Sequence, residues 1–244
     1  MNADHRKTVP PTRKPATGKL ARCAVAAAAA ALVLSACEAP ASDDKKTSER
    51  SYDIKEKATA LHMRTAGGDI RVTASGDDTV RVKEKIRYSD DKPQSSHSTS
   101  GGVVSISDKG CGKGNCAIDY EIAVPASLKL QLDTDGGDVE VRGASGDVAV
   151  ATEGGSVKLK DLRSKQTEAT TKGGDVELAF RDAPDSVRAT TEGGDADITV
   201  PKGAYAVDGG TEGGEEKVEV EKDAKSSHSI EARTEGGDVT VSAA

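Results

Sequence analysis

The phrase Thr-x-Gly-Gly recurs through the second half of the chain, beginning at Thr134, Thr152, Thr171, Thr191, Thr211 and Thr234, with an outlying copy at Thr65. Successive threonines from 134 are 18, 19, 20, 20 and 23 residues apart. Three copies run on into Asp-Val, at Asp138-Val139, Asp175-Val176 and Asp238-Val239. A period near 20 with short alternating segments signals stacked structural units, each too small to bury a core alone.

The segments between these phrases alternate with period two. Leu61 and Met63, Ile70 and Val72, Val80 and Val82, Leu128 to Leu132, and the run Ile118, Tyr120, Ile122, Val124 all follow that spacing. No window has helical spacing, so the sequence predicts an all-β domain. Within a unit, Val187, Ala189 and Thr191 point to the same side as Ala196, Ile198 and Val200 across the Gly-Gly. Val148, Val150 and Thr152 match Val157 and Leu159; Ala169 and Thr171 match Val176, Leu178 and Phe180. With one Phe and no Trp, the interior is thin, which suits two sheets about 10 Å apart.

Two architectures fit. In a β-solenoid each unit is one coil, and equivalent residues stack at about 4.8 Å. In an antiparallel meander each Gly-Gly is a two-residue hairpin turn. A hairpin does not need the same Thr two places earlier in every unit, whereas a stacked column does, because each Thr can pack on and hydrogen-bond to its copy. The solenoid is therefore the expected fold.

The N-terminus fixes the compartment. Residues 1–22 carry six bases against Asp4, and Cys23 to Ala36 form an alanine-rich apolar run of fourteen residues ending Leu34-Ser35-Ala36-Cys37. This pattern describes a secretory signal over residues 1–36, too short for a comfortable membrane span. The four residues before and at the cut resemble the bacterial lipobox, which implies cleavage before Cys37 and acylation of that cysteine. The acyl chains would give stable anchoring. From Glu38 to about Tyr52 there is no apolar period, so residues 37–54 read as lipid anchor and flexible tether, and residues 55–244 as one domain. Asp90 to Gly102, rich in Ser, reads as a flexible excursion.

Loss of residues 1–36 leaves 28 Lys and Arg against 40 Asp and Glu, so the formal charge moves from −7 to −12. That balance argues against nucleic acid and keeps the domain off anionic lipid, leaving the lipid tail as the only membrane contact. Cys111 and Cys116, in Cys-Gly-Lys-Gly-Asn-Cys, are expected to close a small disulfide outside the cytoplasm. His62, His97 and His228 show no metal-ligand spacing.

Gly68-Asp69-Ile70-Arg71-Val72, then Ile122-Ala123-Val124-Pro125 before Leu128, then the Gly-Asp-Val run, together resemble the provisionally named bacterial adhesin family of β-strand repeat proteins. The resemblance covers roughly residues 55–244. It implies a stacked β-helix, often in envelope proteins, some encoded near cell-envelope stress regulators, in a family largely of unknown function. Gly213-Gly214-Glu215-Glu216 departs from the pattern, with Asp-Val replaced and an extra residue read as inserted.

Asp138, Asp175, Asp195 and Asp238 follow the glycine pairs, with Ser156 and Glu215 in the same column. The expected role is an Asx-type bond to a backbone N–H in the turn. Calcium would need the nine-residue β-roll spacing, which is absent. Asp133-Thr134-Asp135-Gly136 lacks the bidentate acid that ends an EF-hand loop. A second column, Asp135, Glu153, Lys172, Glu192, Glu212 and Glu235, reads as a solvated edge, with weak cation or cationic-polymer binding as the other reading. With four Tyr, one Phe and no Trp the sugar-stacking platform is nearly missing, and no hydrolase, metalloprotease or phosphate-loop motif occurs. No catalytic residue, cofactor or metal ligand is therefore expected. The sequence points to a lipid-anchored envelope interaction or scaffold module for an envelope protein or polysaccharide; the alternative is an accessory or sensor protein of envelope stress signalling. Substituting Cys37→Ala is expected to leave an uncleaved or released protein that no longer labels with a palmitate analogue in cells. Unchanged labelling would refute lipidation.

Overall fold

The computed structural model describes residues 45–244, which fall within one compact unit, Asp43–Ala244. The signal segment and Cys37 lie outside the described residues. Among the described residues every regular element is a strand. The first seven are β1 (Lys46–Ile54), β2 (Ala60–Thr65), β3 (Ile70–Ser75), β4 (Val80–Tyr88), β5 (Ser95–Ser100), β6 (Val103–Asp108) and β7 (Cys116–Pro125). Then come β8 (Lys129–Thr134), β9 (Val139–Arg142), β10 (Val148–Thr152), β11 (Val157–Leu162), β12 (Gln166–Thr171), β13 (Val176–Phe180), β14 (Ser186–Thr191) and β15 (Ala196–Val200). The last five are β16 (Ala204–Thr211), β17 (Glu216–Val218), β18 (Glu221–Lys222), β19 (Ser229–Thr234) and β20 (Val239–Ala243).

These strands form two ten-stranded mixed sheets, ordered β1-β4-β7-β3-β9-β11-β13-β15-β20-β17 and β18-β16-β19-β14-β12-β10-β8-β2-β6-β5. The two strands flanking each Thr-x-Gly-Gly lie in opposite sheets, so no Gly-Gly closes a hairpin. Pairing between successive units is parallel, with Thr152 opposite both Thr134 and Thr171. Antiparallel pairing is confined to β1–β4, β4–β7 and β5–β6, which together cover one end.

The core follows the alternation. Val148, Val150, Val157, Leu159, Ala169, Val176, Leu178, Val187, Ala189, Ala196, Ile198 and Val200 are all buried, and so are Thr65, Thr134, Thr152, Thr171, Thr191 and Thr234. Each fully buried Val, Leu or Ile stabilises by about 1.5–3 kcal/mol, and together they supply the main drive.

The units do not stack in chain order. Unit β19–β20 lies between β14–β15 and β16–β17, so Thr234 pairs with Thr191 on one side and Thr211 on the other. Unit β2–β3 likewise sits between β6–β7 and β8–β9, which brings Thr65 opposite Thr134. Burial explains the C-terminal case. The last unit offers Ile230, Ala232, Val239 and Val241 to the interior, all buried. Unit β16–β17 offers Gly209, and Glu216 stands opposite Val239 where other units have an apolar residue. A unit with a carboxylate on its inward row belongs at the solvated end, and there Glu216 lies over the space that Gly209 leaves. This register also shows that no residue is inserted at 213–216: Glu215 fills the Asp position and Glu216 the Val position.

Two segments differ from the sequence reading. Lys46–Ile54 is an edge strand paired with β4 over its whole length, so the tether ends and the domain begins earlier than residue 55. Only Ile54 is fully buried, with Tyr52 and Ser48 partly so; the remaining polar side chains suit a solvated edge and hide the strand from a periodicity search. Within Asp90–Gly102, Ser95–Ser100 pairs with β6, its hydroxyl-bearing residues standing where apolar ones would mark a strand.

The second glycine of each pair permits the close stacking. A Cβ on Gly155, Gly174, Gly194 or Gly237 would fall within 3.0 Å of the second glycine's carbonyl in the unit beneath. At Gly68 and Gly137 the backbone also has φ of 100° and 123°, which a side chain would strain. The first glycines are freer: a Cβ on Gly173 would lie 3.4 Å from the Gly154 carbonyl, an ordinary contact. Gly174→Ala is thus expected to destabilise by about 1–3 kcal/mol, as overpacking does, while Gly173→Ala changes stability little. Denaturant melts of the pair check this, and equal losses would contradict it.

Candidate functional site

The corner hydroxyls and carboxylates are spent on holding units together. Thr171 Oγ1 donates to the Gly155 carbonyl of the unit below at 2.7 Å and accepts from its own Gly174 N–H at 3.3 Å. Thr152, Thr191, Thr234 and Thr211 repeat the arrangement with Gly137, Gly174, Gly194 and Gly237. The threonines therefore bond to neighbouring glycine carbonyls and not, as the sequence suggested, to one another. Two differ: Thr134 Oγ1 donates to the Gly136 carbonyl of its own corner at 3.2 Å, and Thr65, whose unit rests on β6–β7 with no Gly-Gly corner, has a buried hydroxyl without a partner.

The Asp column makes a second ladder. Asp138 Oδ1 accepts from Ser156 N–H at 2.9 Å, Asp175 Oδ1 from Asp195 N–H at 3.0 Å, Asp195 Oδ1 from Asp238 N–H at 2.8 Å, and Asp238 Oδ1 from Glu215 N–H at 2.8 Å. Asp119 and Asp69 extend it at the other end. The acceptor serves the next unit's backbone and not its own turn, which corrects the local Asx expectation. The physical demand is the same, since each strand start presents an N–H that needs a partner.

Beside it runs the second column, fully exposed, in the stacking order Asp135, Glu153, Lys172, Glu192, Glu235, Glu212. Lys172 Nζ bonds Glu153 Oε1 at 2.6 Å, and that bond raises the lysine pKa, with Glu192 and Asp135 adding to it. Three carboxylates then follow without an intervening base. Among the described residues no cluster of His, Cys, Asp and Glu is arranged to hold a metal ion.

The outer faces of the two sheets differ. On the first sheet, charge alternates strand by strand along one register row: Lys83, Glu121, Arg71, Glu140, Lys158, Glu177. Neighbours pair, as in Lys158–Glu177 at 2.9 Å and Arg71–Glu140 at 3.9 Å. Asp161, at φ 56° in a bulge of β11, is clamped between Arg181 and Arg142, and the Arg181 hydrogen bond leads in lowering its pKa. The second sheet instead presents mixed polar residues around a shallow groove over β8, β10, β12 and β14, lined by Ala149, His62, Gln131, Gln166, Glu168 and Arg188. Arg188 pairs with Glu231, and Gln131 with Asp133. The side chains of His62, Gln166 and Glu168 bond to nothing else in the domain.

The sequence reading missed a polar cluster under the antiparallel end. Glu84 is 0% exposed, and it accepts from Tyr52 Oη at 2.9 Å and from Ser95 Oγ at 2.8 Å, with Arg50 Nε 3.7 Å away. Tyr120 Oη donates to buried Asp108 at 3.0 Å, whose other oxygen accepts from Ala66 and Gly110 N–H. His97 stacks on Tyr52, ring centroids 4.3 Å apart. A signal existed: Glu84 occupies an inward position in the alternation Val80, Val82, Glu84, Ile86. Nearby, Cys111 and Cys116 are disulfide-bonded, closing a loop at the end of β6–β7.

Comparison with known proteins places these features. The family model described as Toastrack DUF4097 matches residues 113–244. No curated protein matches the chain. Among solved structures, the chain is similar to a candidate cell adhesion protein from Clostridium sporogenes (13% identity, TM-score 0.45, 82% of this chain and 100% of that one). It is also similar to a candidate adhesin from Bacteroides fragilis (16%, 0.44, 82% and 97%) and a candidate lipid binding protein from Parabacteroides distasonis (11%, 0.25, 80% and 96%).

Burial first, then the charge of Glu84, pushes the Tyr52 phenol above its ordinary range; burial and Asp108 do the same to Tyr120. The folded state thus favours the neutral phenol. This stabilisation is complete below the unfolded tyrosine value near 10 and is lost as pH rises beyond it. The melting temperature is expected to fall between about pH 10 and 12, and to fall less steeply in Tyr52→Phe. Identical alkaline slopes would contradict the assignment.

Proposed function

The chain belongs to the Toastrack DUF4097 family, and on that premise we propose that it works as a non-catalytic, adhesin-like interaction module, held by a lipid on Cys37 at the extracytoplasmic face of a bacterial membrane. The body is read as a β-solenoid with one Gly-Gly-Asp corner per unit, and the parallel register of the threonine column supports that reading. The lipobox and the net negative charge of the mature chain support the location.

One observation carries the choice of surface. The corner threonines and aspartates and most of the first sheet's charges have partners within the domain; of the side chains that do not, Glu192, Glu235 and Glu212 form a convex acidic edge, whereas His62, Gln166 and Glu168 set donors and acceptors around the groove of the second sheet. A long shallow groove with uncommitted donors and acceptors suits an extended polar ligand, a polysaccharide or a peptide segment of the envelope, held by hydrogen bonds instead of aromatic stacking. The acidic column is read as a solvated edge whose repulsion salt screens.

The test is binding of the mature chain to isolated envelope fragments by co-sedimentation. Ala149→Arg, which fills the groove, and the double variant Gln166→Ala with Glu168→Ala are expected to lower binding at least tenfold. Lys158→Ala on the other sheet should leave it unchanged. Equal binding by all variants, or none by the wild type, would sink the reading.

A further inference from the structure

The C-terminal unit occupies an internal slot of the stack. β16 and β17 precede β19 and β20 in sequence yet lie beyond them, so the last unit separates two units that are consecutive in the chain. Its contacts are complete on both sides. Toward β14–β15, Thr234 Oγ1 donates to the Gly194 carbonyl at 2.8 Å and Asp238 N–H to Asp195 at 2.8 Å. Toward β16–β17, its Gly237 carbonyl accepts from Thr211 at 2.7 Å and its Asp238 from Glu215 N–H at 2.8 Å. On the outer face an ion-pair chain crosses it, Arg188–Glu231 at 2.7 Å, Glu231–Arg233 at 3.9 Å and Arg233–Asp208 at 2.6 Å.

Unit β16–β17 could close over β14–β15 by the same chemistry, because Thr211 and Gly214 match Thr234 and Gly237 in kind. The unit left out would then expose Ile230, Ala232, Val239 and Val241, which are otherwise buried. It hangs from the largely exposed turn Asp223–His228, held by Ser226 Oγ to the Ala204 carbonyl and His228 to the Pro184 carbonyl. Six residues reach roughly 20 Å when extended.

We propose that the slot between β14–β15 and β16–β17 also takes the Ser229–Ala243 unit of a second copy of this chain, joining two molecules by reciprocal strand exchange. The occupant is fixed by what the slot recognises: an apolar inner row, a Thr-x-Gly-Gly-Asp corner and the Glu231–Arg233 charge order, all of which an identical chain supplies. Exchange of an identical element through a hinge is a low-cost route to a dimer. The proposal deepens the interaction reading by naming a partner, and it uses no groove residue.

The test co-expresses two differently tagged full chains and measures co-purification after solubilisation from the envelope. Glu231→Arg in one chain and Arg188→Glu in the other set like charges together in each closed monomer, yet both slots of the exchanged pair regain opposite charges. The complementary pair is expected to co-purify several-fold more than either variant with itself, and the wild-type pair detectably. Because a misfolded variant would also fail to co-purify, the wild-type pair is decisive on its own: its absence overturns the proposal. Equal recovery of complementary and self pairs overturns it too. Ala149→Arg should leave co-purification unchanged, so failure here is distinguishable from failure of envelope binding.

Discussion

Strands of adjacent units can come within hydrogen-bonding distance only if the corners between them also approach, and the second glycine is what allows that. A side chain there would strike the carbonyl beneath it. The same carbonyl receives the threonine hydroxyl of the next unit, while that hydroxyl accepts the N–H of its own second glycine. Two residues thus satisfy the backbone groups that a tight corner would otherwise leave without partners, at a site too crowded for water. The Asp column does the same one step further along, handing a carboxylate oxygen to the next strand's first N–H. Sheets of ten strands with so few aromatic residues depend on this repeated corner.

Stacks have ends, and each end is handled differently. At one, β1, β4 and β5 turn antiparallel and enclose Glu84, Asp108 and two tyrosines in a hydrogen-bonded cluster. At the other, the unit with Gly209 and Glu216 on its inward row is left outermost, and its charges face water. Unit order therefore follows how much apolar surface each unit can bury, because water must wet one side of a terminal unit. Chain order yields to that.

This division leaves the surfaces with separate duties. From Lys83 to Glu177, charge on the first sheet is neutralised pair by pair along one row, and each pair there is worth little to stability alone. Its regular alternation penalises a slipped register, since a shift would set like charges side by side. The second sheet's groove keeps His62, Gln166 and Glu168 uncommitted, so a ligand can bond to them without first displacing an internal partner.

The all-β class, the inward rows and the corner threonines were legible in the sequence, because side-chain period two and residue identity survive without any knowledge of neighbours. Even the outermost unit is marked there, by Gly209 and Glu216. The sequence could not supply the partner of each hydrogen bond: whether Asp138 serves its own turn or Ser156 in the next unit depends on which units touch. The edge strand Lys46–Ile54 was hidden for a related reason, since a strand held mainly by backbone pairing to β4 needs no apolar pattern of its own. Tertiary structure alone decided the order of units, which set the C-terminal repeat inside the stack. That order is a competition among all units for the dry positions, and no single segment contains its outcome.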